Sequence, residues 1–312
     1  MSGDLKEKLT AAAVGAAMLA LCFSGAAVMD SARAALTVCA GTILPSLFPF
    51  FVLSILLSRL GVPRRIGRRL SPLAGRLFGV SGAGLTALPV GLLGGYPMGA
   101  ACVAELLAQR EIDRDEAERL LLFVNNSGPA FLVGAVGVGV FGSARSGFLL
   151  YAAHAAAAVL TGLLFSRPGG DSRPVEPKAG EPFAAAFPAA VRQAVSAVLT
   201  VCGFVVCFSV LLGLLESWGL FPPLGIRTQE RRALVCGLFE IGSAVGAMRG
   251  LDPSPAHLAL AAAVLGWGGL SVHCQTAALF ADSELSLRRH TFGRLCSALF
   301  SALIAGALAP LL

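Results

Sequence analysis

Charge is what this chain has least of. Only 13% of its 312 residues are Asp, Glu, Lys or Arg, against 56% hydrophobic, where a soluble domain of this size carries about 25% charged residues. That shortage excludes an ordinary soluble globular domain. The net charge of +6 would suit nucleic acid, but no basic patch is interleaved with aromatics, so nucleic acid is not an expected partner. Eight cysteines (Cys22, Cys39, Cys102, Cys202, Cys207, Cys236, Cys274 and Cys296) lie inside apolar segments without a CxxC pair. They are expected to be small buried hydrophobes rather than metal ligands or disulfides. No nucleotide loop, metal-ligand spacing or catalytic triad occurs, so neither an enzyme nor a cofactor is expected. Gly134, Gly137 and Gly139 follow a helix break rather than a strand, which argues against phosphate binding.

Apolar length is abundant. Runs of about 20 apolar residues mark membrane crossings, and they fall at Leu9–Val28, Ala34–Leu60, Leu120–Phe141, Gly147–Phe165, Val191–Leu215, His257–Phe280 and Phe292–Leu312. The first could be a cleaved signal peptide, since Lys6 and Lys8 precede it, but so many later spans favour an uncleaved helix. Two further stretches have short arms. Leu85–Ala108 holds Gly94-Gly95-Tyr96-Pro97 at its centre, and Arg232–Met248 holds Glu240-Ile241-Gly242-Ser243. Apolar arms of about ten residues suit a re-entrant hairpin better than a crossing, with glycine and proline turning the tip.

With the N-terminus cytoplasmic and both hairpins returning to their own side, most of the 24 basic residues fall in cytoplasmic segments. These include Lys6 and Lys8, the cluster from Arg59 to Arg76, and Arg288, Arg289 and Arg294. The cluster from Arg64 to Arg76, with Ile66, Leu70, Leu73 and Leu77 between its arginines, looks amphipathic and could also attract anionic lipid.

The predicted fold is therefore an all-α polytopic membrane protein. Residues 1–33 hold an extra N-terminal helix. Residues 34–166 and 190–312 each hold a long helix, a re-entrant hairpin, a broken helix and a closing helix. An odd number of crossings per half makes the second repeat inverted. Residues 167–189, rich in Pro, Gly and charge over their first part, read as a cytoplasmic linker.

Broken helices at membrane depth are tolerated only where protein buries them or where they line a cavity. Paired interruptions in two halves point to a carrier's binding site. That pair is Asn125-Asn126-Ser127-Gly128-Pro129 and Gly266-Trp267-Gly268-Gly269. Asn125, Asn126 and Ser127 could hold an ion or an anionic group, or could bond neighbouring helices. Glu240, a carboxylate mid-segment, could couple transport to a proton or cation, or could be a structural hydrogen-bond acceptor. His273 and Gln275 follow the second break and could face the same cavity. His154 reads as structural. Gly95 turns the first tip, and Tyr96 could stack on a planar ligand or anchor that tip.

At Gly95-Tyr96-Pro97-Met98-Gly99, Glu116-Ala117-Glu118-Arg119-Leu120, Asn125-Asn126-Ser127-Gly128-Pro129 and Val136-Gly137-Val138-Gly139, the chain resembles the sporulation integral membrane proteins of the YlbJ type, within the nucleoside-recognition (Gate) domain group. The likeness extends more loosely to Gly237-Leu238-Phe239-Glu240-Ile241 and Gly268-Gly269-Leu270-Ser271. It implies a multi-pass protein of the bacterial cell membrane, in the outer forespore membrane during sporulation, that moves dipicolinic acid. It also implies an architecture similar to concentrative nucleoside transporters. Helix N-termini and amide donors can bind carboxylates, whereas an ionised Glu240 would repel them.

The resulting expectation is a secondary transporter of a small planar anion. Transport of a nucleoside or nucleobase, or a non-transporting scaffold for spore assembly, are the alternatives. The sequence leaves coupling to protons or sodium, and homo-oligomer formation, open.

Overall fold

The computed structural model describes residues 3–166, 180–283 and 285–312. Among them the chain is all-helical, with no strand. Helix α1 (Gly3–Phe23) turns at Ser24 into α2 (Gly25–Val38), and the two apolar stretches here cross at 93°. Helix α2 runs on through a π-helical turn, Cys39–Ile43, into α3 (Leu44–Arg59). The first apolar run thus ends earlier, and the long helix begins earlier, than hydropathy suggests. Gly25 is a poor helix interior residue. The widened turn before Pro45 lets the helix continue past a residue that cannot donate.

The basic helix α4 (Val62–Leu73), lengthened by a π-helical turn at Ala74–Phe78, bends by 89° into α5 (Gly82–Leu85) and α6 (Ala87–Gly94). Gly95, at φ 82°, ends α6 in a conformation that disfavours any side chain. Helix α7 (Met98–Ala108) follows. Next come α8 (Arg114–Leu120), a nine-residue π-helix (Ala130–Val138) and α9 (Ala144–Leu164).

The second half holds α10 (Phe183–Ser217), the interrupted pair α11 (Gln229–Phe239) and α12 (Ile241–Ala247), a second pair α13 (Pro255–Trp267) and α14 (Gly269–Leu279), and α15 (Arg288–Leu308). Residues 167–179 of the expected linker lie outside the described residues. Beyond them, Glu181 pairs with Arg59 at 3.0 Å before α10 begins.

Leu120–Phe141 departs from the expected broken helix. Its first arm is not helical: residues 121–128 leave the helix and run as irregular backbone. A Cβ at Gly91 or Gly99 would collide with the Val124 carbonyl, and one at Gly293 with that of Leu122. The segment is threaded between α6, α7 and α15, where only glycine gives it room. Side chains supply partners that a helix would have given. Asn126 Nδ2 donates to the Phe123 carbonyl at 2.8 Å, and the Ser127 N–H donates to His154 Nε2 at 3.0 Å. Such pairing is what permits irregular backbone at membrane depth.

Four helical segments are long and apolar enough to cross a bilayer: α9, α10, Pro255–Leu279 and Arg288–Leu311. Each bent pair counted as one span raises this to six, among the described residues. The seven runs read from hydropathy include 120–141, whose helix is lost to the threaded segment, and 34–60, divided by its π-helical turn.

Two layers frame the interior. Phe51 and Ile55 of α3 pack with Ala186, Ala190, Ala194, Val198 and Val201 of α10. Small residues let these helices approach closely. Against them lie α6, α7, α11 and α14, and the closing helices α9 and α15 pack on each other and on α13. Helix α15 is polar inside and apolar outside: His290, Arg294, Ser297 and Ser301 are buried, whereas Leu295, Leu299 and Leu303 are exposed. That inverted amphipathicity fits a helix whose outer solvent is lipid.

Candidate functional site

Three of the four interruptions, and α14 just past the fourth, line one small cavity of about 70 Å³. Gly95 and Tyr96 come from the first, Ser127 and Gly128 from the second, Glu240 to Gly242 from the third, and Ser271, Val272 and Gln275 from α14 just past the fourth. Of the residues singled out from the sequence, Gly95, Tyr96, Ser127, Glu240 and Gln275 therefore share one cavity. Asn125, Asn126 and His273 do not line it.

Each of those three bonds instead within the surrounding wall. Asn125 Nδ2 donates to Thr276 Oγ1 at 3.0 Å and lies 3.2 Å from His290 Nε2. Asn126 holds the threaded segment as described. The His273 ring lies 4.3 Å from that of Trp267 and 5.0 Å from that of His290, and its Nδ1 is 2.8 Å from the Gly269 carbonyl. His154 accepts from Ser127, a structural use.

Glu240 is buried and caps α12. Its two carboxylate oxygens accept the Gly242 N–H at 2.7 Å and the Ser243 N–H at 2.5 Å. The extended backbone of Glu240 (φ −151°, ψ 124°) ends α11 and starts α12. The same side chain faces the central cavity and a larger one beside it.

Tyr96 anchors the first tip. Its hydroxyl donates to the Leu265 carbonyl at 2.9 Å and accepts from Arg294 Nη1 at 2.9 Å. Arg294 is fully buried, and its Nε and Nη2 have no partner among the described residues. The charge pattern had placed Arg294 with the cytoplasmic arginines of a loop; the structure puts it inside the bundle. The spacing 290, 294, 297, 301 was the available signal, because it sets one polar face on an otherwise apolar helix.

The central cavity is the smallest in volume of three that border one face of α10. A cavity of about 250 Å³ is lined by Gln193, Ser196, Ala197, Thr200 and Val201 of that helix. The central one takes Val201 and Val205. One of about 930 Å³ takes Val205, Ser209, Leu212, Gly213 and Glu216. From Gln193 to Glu216 a helix rises about 35 Å, close to the roughly 30 Å of a bilayer's hydrocarbon core. Val201 and Gln275 border both the smaller outer cavity and the centre, and Glu240 borders the centre and the larger one.

Over 294 residues the chain is 31% identical to the sporulation integral membrane protein YlbJ of Bacillus subtilis (strain 168), covering 83% of this chain and 72% of that protein. This chain belongs to the YlbJ family of sporulation integral membrane proteins. No family model matches it. No solved structure matches it either. Family membership and the apolar helices make it a multi-pass integral membrane protein.

Proposed function

We propose that this YlbJ-family protein is a secondary carrier of a small planar anion, dipicolinate, across the outer forespore membrane during sporulation. The observation that carries this reading is the row of three cavities along α10, smallest where three of the helix interruptions and α14 come together. Irregular backbone at that depth supplies groups that a continuous helix would keep to itself. A scaffold protein has no need of such a row. The small centre with larger cavities on either side is the form of a carrier with its site closed.

The two halves, in this reading, are inverted repeats and their interrupted pairs re-entrant, as in the nucleoside-recognition (Gate) group. The cavity lined by Gln193 opens to the cytoplasm, and the one lined by Glu216 to the opposite side. Glu240, facing both the centre and one outer cavity, is the group that takes up a proton as the site closes.

Uptake of radiolabelled dipicolinate by proteoliposomes containing the purified protein tests the reading. Accumulation above protein-free vesicles, not displaced by excess uridine, is the expected result. Uptake of uridine alone would select the nucleoside alternative. No flux of either, with spores of normal dipicolinate content when the gene is deleted, would leave the scaffold.

A further inference from the structure

Arg294 is a buried guanidinium with two nitrogens that lack partners and no carboxylate beside it among the described residues. Arg294 is 0% exposed. Arginine stays charged in proteins and offers five N–H donors. Here one of its nitrogens meets the Tyr96 hydroxyl at 2.9 Å, while Nε and Nη2 meet nothing among the described residues. No ion pair to Arg294 occurs among them. A buried charge is strongly unfavourable unless it is paired and hydrogen-bonded. The groups around it do not neutralise it: the titratable side chains that feel its charge are Tyr96, His154, His273, His290 and Cys296, and none is a carboxylate.

The position of this charge connects it to the central cavity. Tyr96 lines that cavity and carries the hydroxyl that Arg294 holds. The guanidinium therefore sits one side chain behind the cavity wall. Tyr96 belongs to the first interruption, between α6 and α7, where Gly95 already bends the backbone. A shift of that tip would take the hydroxyl off Arg294 and turn the guanidinium toward whatever fills the cavity. Ser297 and Ser301, on the same face of α15, are buried with hydroxyls that lack partners among the described residues. They extend the polar strip away from Arg294 along the helix.

We propose that Arg294 is the counter-charge for a carboxylate of the transported molecule, which replaces the Tyr96 hydroxyl as its partner. The proposal rests on the carrier reading above and adds the residue that selects for negative charge. Guanidinium and carboxylate match in a two-point geometry that a neutral ligand cannot use. With ligand absent, Tyr96 holds one donor in place. With ligand present, the orphaned donors gain acceptors. The protein thereby avoids carrying a permanent carboxylate that an anionic cargo would have to displace.

Calorimetry on the full-length protein in lipid nanodiscs tests this with two probes of one shape, pyridine-2,6-dicarboxylate and its neutral dicarboxamide. The wild type is expected to prefer the dicarboxylate by roughly tenfold to hundredfold, the range of a charge-assisted hydrogen bond. Arg294→Gln should bring the two probes to equal affinity, and Arg294→Lys should restore part of the preference. Tyr96→Phe, which removes the internal competitor, should tighten dicarboxylate binding. Should Arg294→Gln fail to fold, the probe pair on the wild type and Tyr96→Phe still decides. Equal affinities in the wild type, or a Tyr96→Phe protein that loses the preference, would overturn the role of Arg294. So would an Arg294→Gln protein that still prefers the dicarboxylate. If that same variant also transports dipicolinate normally, the carrier reading survives and the arginine's role alone fails. A wild type that binds and transports neither probe removes both.

Discussion

The side-chain amide of Asn125 donates to the hydroxyl of Thr276 across 3.0 Å, joining the interruption after α8 to helix α14 of the other half. Both residues are fully buried. The Thr276 hydroxyl in turn donates a hydrogen bond to the Val272 carbonyl at 2.9 Å, so the contact extends a chain rather than ending one. Loss of the amide leaves buried groups unsatisfied, which costs about 1–3 kcal/mol. Asn125→Ala is expected to lower the midpoint of thermal unfolding in nanodiscs by several degrees. An unchanged midpoint would show that the halves are held together elsewhere.

Gly99 and Gly134 should answer alanine in opposite ways. At Gly99 a Cβ meets the Val124 carbonyl, whereas at Gly134 nothing lies within 4 Å. Gly99→Ala should remove most of the monodisperse protein on size-exclusion chromatography. Gly134→Ala should be neutral or gain up to about 1 kcal/mol from helix propensity. Equal behaviour of the two would contradict the threaded segment.

The sequence already locates the four interruptions, because glycine, proline and paired amides within apolar runs are local signals. It also yields the order of elements, which hydropathy carries directly. The threaded backbone of 121–128 could not be read there. Its apolar residues Leu120 to Val124 look like a helical arm, and its departure from helix depends on glycines of α6, α7 and α15, which are remote in sequence. Arg294 was misplaced for a related reason. An arginine near the start of a span is ambiguous between a loop charge and a buried one, and only the face it shares with His290, Ser297 and Ser301 separates the two. Asn125 and Asn126 were legible as buried polar groups, but not as wall rather than lining.

Glu116 gives a pH test away from the membrane core. Its carboxylate accepts the Ser81 N–H at 2.6 Å and so ties α8 to the start of α5. Burial raises its pKa above the usual carboxylate range, opposed in part by the hydrogen bond from Ser81. The folded state therefore binds the proton more tightly than the unfolded state. Stability from this source is present at low pH and is lost as pH rises through the raised pKa. Glu116→Gln keeps an acceptor for Ser81 and should flatten the fall in unfolding midpoint between acid and neutral pH. A slope equal to the wild type's would assign it to other groups.

Glu240 combines a cap with a cavity-facing carboxylate, and two substitutions separate these. Glu240→Ala removes both acceptors from Gly242 and Ser243 and should cost about 1–2 kcal/mol, as lost caps do. Glu240→Gln keeps one acceptor oxygen and cannot ionise. It should fold and bind dipicolinate, but lose the pH dependence of proteoliposome uptake. An unchanged pH profile would leave Glu240 as the cap of α12 and nothing more.

The glycine-lined passage of residues 121–128 also sets an order of assembly. Its walls include α15, through the approach of Leu122 to Gly293, and Asn125 lies beside His290. The α14–α15 turn adds Ser286, whose N–H donates to Glu118 at 3.0 Å, and the first turn of α15 adds Arg289, which reaches Asp115 at 2.7 Å. A ribosome adding about 5–20 residues per second needs roughly ten to thirty seconds to travel from that passage to α15. Through this interval the first half waits in the bilayer with its polar centre uncovered. A chain stopped before α15 keeps that centre open, so the first half is complete only when α15 closes over it.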